Sequence, residues 1–173
     1  YAGAEGRLLA LDAETGDTEW ELTLSEGESV GVPAMLPGEG LYVPVGEAVY
    51  KIDPETNSVE WSRDVFGRVL GPPAYVSLMG CAFATEAGYV YLLRHDGTGF
   101  GRWSLPAAPQ APLTADADAL YVNCLDGETY GIDMEQSPRL DIDWHAETGW
   151  ANAGIAVHQF VYTAGTNGLR AID

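Results

Sequence analysis

The chain has 173 residues, enough to bury one ordinary core, and carries 26 Asp and Glu against 8 Lys and Arg for a formal net charge of -18. A field of that sign repels phosphate backbones and anionic lipid, which excludes nucleic acid and acidic membrane surfaces as partners. Such acidity can accompany disorder, but 46% hydrophobic and 10% aromatic residues argue for a folded chain, and no run of 18 apolar residues is present to form a transmembrane segment.

In chain order, the first apolar strand is predicted over 8–11, followed by Asp12, Thr15, Gly16 and Trp20. A short strand over 32–35, a second over 41–43 and a third over 48–52 lead to Asp53, Thr56, Asn57 and Trp61. The same order returns as 82–84, 89–93 and Trp103, then as 120–122, 129–132, Asp133 and Trp144. It closes with 160–162 and 169–172, stopping at Asp173. A glycine marks the turn between second and third strands each time, at Gly6, Gly46, Gly88, Gly127 and Gly168. The four tryptophans are 41, 42 and 41 residues apart.

A period near 40 with four short strands is the pattern of a β-propeller blade, so the fold class is all-β with four antiparallel strands per blade. The inner strands are apolar at successive positions because a blade stacked between two others is buried on both faces. No helical periodicity competes. Asp12 and Asp53 are placed to accept backbone N–H bonds in the turn that follows the third strand. Gly16 can take positive φ there, and Asn57 stands in the matching place. In the third repeat Gly97 and Gly99 suggest a lengthened turn. In the fourth, residues 134–140 lack glycine and include Pro138, which predicts a longer turn of different shape. The tryptophan rings are expected to lie across the blade faces at equivalent positions.

The stretch Ala10-x-Asp12-x-x-Thr15-Gly16-x-x-x-Trp20 resembles the tryptophan-docking motif of the PQQ-repeat propellers. The second repeat keeps Asp53, Thr56 and Trp61 with Lys51 and Asn57 substituted, the third retains chiefly Trp103, and the fourth keeps Asp133 and Trp144. The resemblance spans essentially the whole chain. It implies an arc of a seven- or eight-bladed ring with blade portions at about 1–27, 28–67, 68–108, 109–149 and 150–173. Second and third strands occur five times and the outer strand four, so the segment is expected to be cut from a longer chain. The remaining blades of the ring, or other proteins, would then be its partners, and an isolated arc is expected to be poorly stable or to dimerise.

The family includes quinoprotein dehydrogenases and an outer-membrane assembly lipoprotein. The resemblance implies a non-enzymatic scaffold or protein-interaction module, extracytoplasmic or at the cell surface. Two alternatives stand beside it: part of a PQQ- and calcium-dependent oxidoreductase whose catalytic residues lie outside this segment, and a ligand-binding or sensor domain of a larger protein. The charge balance, with Lys51 the one lysine, also resembles the surfaces of proteins from halophilic archaea. There, carboxylates hold water and cations while molar salt screens their repulsion.

No catalytic, cofactor-binding or metal-ligating residue is assigned, and no cofactor is expected. The sequence has no adjacent cysteine pair; Cys81, at a strand start, and Cys124, read as mid-strand, are expected to be buried free thiols. His95, in a turn, His145, after a fourth strand, and His158 fall at unlike phases and read as solvated. Asp96-Gly97 and Asp126-Gly127 read as turns, without the alternating oxygen ligands of a calcium loop. Trp150, outside the tryptophan phase, is the candidate surface contact.

Overall fold

The computed structural model describes residues 1–36, 38–76, 79–134, 141–149, 155–157, 160–166 and 168–172, without the side chains of 100, 156 and 157. The chain forms successive antiparallel sheets in which sequence neighbours pair. The first holds β1 (Ala2–Ala4), β2 (Arg7–Leu11) and β3 (Thr18–Thr23); the second holds β4 (Ala34–Leu36), β5 (Gly40–Val45), β6 (Ala48–Asp53) and β7 (Ser58–Asp64). The third is β8 (Ala74–Val76), β9 (Gly80–Thr85), β10 (Tyr89–Leu93) and β11 (Gly99–Ser104), and the fourth is β12 (Thr114–Ala115), β13 (Ala119–Asn123), β14 (Glu128–Asp133) and β15 (Asp141–Glu147). β16 (Ala156–Val157), β17 (Val161–Gly165) and β18 (Gly168–Ile172) make the last. This is an all-β fold of four-stranded antiparallel sheets repeating about every 40 residues, the arrangement of propeller blades.

Apolar clusters fill the spaces between sheets. Leu8 meets Leu41, Val43, Val45 and Ile52 between the first and second sheets, and Tyr42 and Val49 meet Cys81, Phe83, Tyr91 and Leu93 between the second and third. Ala82, Ala84, Val90 and Leu92 meet Leu120, Val122 and Ile132 between the third and fourth, and Tyr121 meets Ile155 and Val161 beyond. Along β5, odd positions face back and Tyr42 faces forward, which explains why GLYVPV lacks polar alternation. Each fully buried Val, Leu or Phe contributes about 1.5–3 kcal/mol.

Second strands run longer than the sequence pattern indicates, and two elements are displaced: the strand expected over 32–35 is Ala34–Leu36, and that expected over 160–162 is Val161–Gly165. The segment entering each of the second to fourth sheets makes one extra bridge to the end of the second strand, as Val30–Val45, Val69–Thr85 and Pro109–Cys124. Cys124 is therefore just past β13, not in mid-strand. Glycine is required at two places that composition did not single out. Gly40 and Gly80, the first residues of β5 and β9, have φ of 104° and 138°. A Cβ on Gly40 would lie 2.9 Å from the Ile52 carbonyl oxygen, and one on Gly80 would overlap that of Leu93.

Candidate functional site

The tryptophans sit on the outer strands, facing the next sheet. Trp20 pairs across the ladder with Ala10, Trp61 with Lys51 and Trp144 with Gly131, each beside a bulge in its own outer strand. Trp103 departs from this phase: it pairs with Val90, and Gly101 occupies the place opposite Leu92. The turn accounts for one of the two places, and the other comes from the ten residues from Leu93 to Trp103 against nine from Ile52 to Trp61. Residues 94–98 between Leu93 and Gly99 make a connection one residue shorter than 12–17 and 53–58, so the expected lengthened turn is a shortened one. The Trp103 ring leans back over Gly101, whose Cβ would lie 2.7 Å from it. In the fourth sheet Ile132 pairs with Ile142 and Asp133 ends β14 opposite Asp141, while residues 135–140 of the turn expected there, Pro138 among them, lie outside the described residues.

Trp61 shows how such a ring ties two sheets. Its Nε1 donates to the His95 carbonyl at 3.0 Å, its face covers Gly97 at 2.7 Å from where a Cβ would be, and Tyr42 meets it edge-on at 5.7 Å between centroids. Side chains at its foot order the turns. Asp12 Oδ1 accepts from the Glu14 and Thr15 N–H groups at 2.9 and 2.7 Å, and Asp53 Oδ1 accepts from those of Glu55 and Thr56 at 2.8 and 3.3 Å. Thr56 Oγ1 adds a 2.8 Å bond to Asp53 Oδ2. Gly16 and Asn57 follow with φ of 78° and 55°.

Hydrogen bonding holds both carboxyls below their ordinary value, with the Thr15 N–H the main cause at Asp12 and the Thr56 hydroxyl at Asp53. Since these folded-state values are depressed, what the carboxylates lend to stability is present at neutral pH. It fades as pH falls through the lowered folded-state values.

Between the second and third sheets, Lys51 is buried, with Nζ 3.0 Å from Glu60, 3.8 Å from Glu39 and 3.4 Å from the His95 carbonyl oxygen. His95 Nδ1 lies 3.2 Å from Glu39 and 3.3 Å from the Tyr42 hydroxyl. His95 is thus a seam residue, not a solvated one, because the shortened turn lays it against the neighbouring sheet. His145 belongs to β15 itself, 3.2 Å from Glu128 on its own sheet. His158 and Trp150 lie outside the described residues. Sequence reasoning missed this seam, and its one legible signal was the lone lysine at a position that carries alanine in the first repeat.

Burial pushes the Tyr42 hydroxyl above its ordinary value, with the Cys81, Glu39 and Glu60 charges adding to it. Burial also pushes the thiols of Cys81 and Cys124 up to about 12, so neither is a nucleophile at neutral pH.

Two clefts open on the edge that carries the β4–β5 and β6–β7 turns and their counterparts. One, about 380 Å³, is lined by Met35 and Leu36 with Glu39, Asp53, Glu55 and Glu60; the other, about 280 Å³, by Trp144 with Asp118, Asp133 and Asp143. A third, about 240 Å³, has Arg63 and Arg102 and the single carboxylate Asp64. A quinone tricarboxylate over calcium needs cationic partners and several carboxylate or amide oxygens together, and none of the three clefts combines them. Among the described residues, no three His, Cys, Asp or Glu side chains converge to hold a metal ion, and no helix is long and apolar enough to cross a membrane.

The family profile described as outer membrane protein assembly factor BamB matches residues 4–141. A serine/threonine-protein kinase, AfsK of Streptomyces griseus, is 30% identical over 122 residues, which cover 65% of this chain and 15% of the kinase. BamB from Moraxella catarrhalis superposes with a TM-score of 0.77 at 17% identity, over 98% of this chain and 53% of that one. Sqt1 from Saccharomyces cerevisiae gives 0.76 at 13% identity, over 98% and 52%. The chain therefore spans about half the length of these propellers and a small part of the kinase. With stacked four-stranded sheets, a repeated tryptophan ladder and a profile match over most of its length, the chain belongs to the BamB-type PQQ-repeat β-propeller family.

Proposed function

We propose that the chain is a non-enzymatic propeller segment acting as a scaffold or protein-interaction module. The observation that supports this reading is where the polar chemistry goes. Asp12, Asp53, Lys51, Glu39, Glu60 and His95 are engaged in ordering turns or in bonding one sheet to the next. BamB, named as an outer membrane assembly factor, lends support from the family, and with it an extracytoplasmic or cell-surface setting. The test is titration of the full-length protein with PQQ and calcium. No saturable fluorescence quenching and no dye reduction are expected; stoichiometric quinone binding with turnover of an alcohol or aldose would replace this reading with the oxidoreductase one. A second reading, a ligand-binding or sensor domain of a larger protein, is favoured by the kinase relative, which this chain matches over only 15% of its length.

The arc belongs to a seven- or eight-bladed ring with blade portions 1–27, 28–67, 68–108, 109–149 and 150–173, on this proposal. Support comes from β18, where Leu169 is 76% exposed although the matching third strands β6, β10 and β14 are largely buried. The remaining blades of the same ring are the partner this face fits, and an isolated segment would dimerise through it.

The tryptophan-docking ladder would hold each blade to the next, and Trp150 would be a surface contact. We also propose a halophilic, archaeal source, on the -18 charge and the single lysine. Molar salt should then raise the unfolding temperature over dilute buffer in a calorimetric scan, and a flat response would count against it.

A further inference from the structure

The cleft between β7 and the β10–β11 hairpin differs in charge from the rest of the molecule. Residues 51–102 hold five of the eight cationic side chains and six of the 26 acidic ones, so this stretch is nearly neutral in a chain of -18. Two of the cations, Arg63 from one sheet and Arg102 from the next, line the same cleft of about 240 Å³.

Both arginines are held in place by partners that leave donors over. Arg63 Nε and Nη2 donate to the Gly97 carbonyl at 2.9 and 2.7 Å, which uses two of its five N–H groups. Arg102 lies over the Tyr89 ring at 4.6 Å, and Tyr91 lines the cleft beside it. The Tyr91 oxygen accepts the Phe66 N–H at 2.8 Å.

The floor is open at Gly99, where a Cβ would meet nothing within 4 Å. At the side, Phe66 is 60% exposed and sits edge-on to Tyr89 at 5.8 Å. Arginine and aromatic residues packed in this way are the composition of energetic anchors in protein interfaces. Asp64 is the one carboxylate in the lining. Nearby, Asp96 Oδ1 is taken up by the N–H and hydroxyl of Thr98, the latter also bonded to Arg94 at 3.5 Å.

We propose that this cleft docks an acidic peptide segment of a protein partner, with a glutamate or aspartate carboxylate taken between Arg63 and Arg102 and an adjoining apolar side chain against Phe66. The proposal rests on the protein-interaction reading and gives that reading a site. A forked guanidinium pair suits a carboxylate, and the exposed phenyl ring beside it suits a peptide better than a free anion. Asp64 at the margin opposes the ligand's charge and sets a limit on affinity.

The test is fluorescence anisotropy of N-terminally fluorescein-labelled hexaglutamate against the full chain in about 0.15 M salt, where exposed charges beyond about 8 Å are largely screened. Saturable binding is expected. Arg63→Gln and Arg102→Gln should each weaken it about tenfold or more, Asp64→Asn should strengthen it severalfold, and Arg170→Gln, outside the cleft, should leave it unchanged. Near-UV circular dichroism of each variant should match the parent. Absence of saturable binding, equal binding by both arginine variants, or displacement by inorganic phosphate as effective as by unlabelled hexaglutamate would overturn the proposal. The scaffold reading would survive that failure if quinone and calcium titration stays silent, and would fall on its own if quinone turnover appears.

Discussion

Replacing Trp61 with alanine is expected to lower the unfolding free energy by about 3–5 kcal/mol, the range for removing a packed aromatic ring. The ring's loss would strip a wall from the cluster of Tyr42, Val49, Phe83 and Tyr91 and leave the space over Gly97 empty. It would also take the strongest donor from the His95 carbonyl, which would keep only the longer contact from Lys51. For a domain of this size the melting temperature should fall by roughly 6–20 °C. Trp61→Phe isolates the indole N–H and should cost about 1 kcal/mol from the hydrogen bond, plus a smaller packing loss. Calorimetry in the same salt for all three proteins decides it. If the alanine variant melted within a degree or two of the parent, sheet-to-sheet docking through this ring would be wrong.

Gly80→Ala should be as damaging for a different reason, at about 3–5 kcal/mol. Its φ of 138° is closed to side-chain-bearing residues, and the new Cβ would overlap the backbone carbonyl of Leu93, which cannot rotate away without breaking the β9–β10 ladder. Gly40→Ala, at φ of 104° with 2.9 Å to Ile52 O, should cost less. Gly16→Ala separates backbone strain from crowding. Its Cβ would meet nothing within 4 Å, so only the left-handed conformation is penalised, by about 1 kcal/mol. Chemical denaturation should rank the three in that order, and equal losses for Gly80→Ala and Gly16→Ala would refute the steric account.

Both variants act where strand spacing and backbone approach meet, which is also where the sequence stops being informative. The period of the repeat was legible because it is written twice over, in tryptophan spacing and in strands apolar on both faces. Turn chemistry was local, and an aspartate two and three residues ahead of backbone N–H groups, as Asp12 and Asp53 are, can be read without knowing what packs on the turn. The acidic surface and the single lysine were likewise plain from composition.

Tertiary structure alone decided three things. A turn one residue shorter, at 94–98, together with one more residue between Leu93 and Trp103 than between Ile52 and Trp61, moved Trp103 two places along its strand, because a ladder counts pairs and not distance along the chain. The same turn carried His95 from an apparently solvated place into the seam with Lys51, Glu39 and Tyr42, residues more than 40 positions away. Arg63 and Arg102, on different sheets, came to line one cleft. Periodicity and composition report on what each residue does along the chain. Which side chains from separate repeats share a space depends on register and on how one sheet stacks against the next, and only the folded chain specifies those.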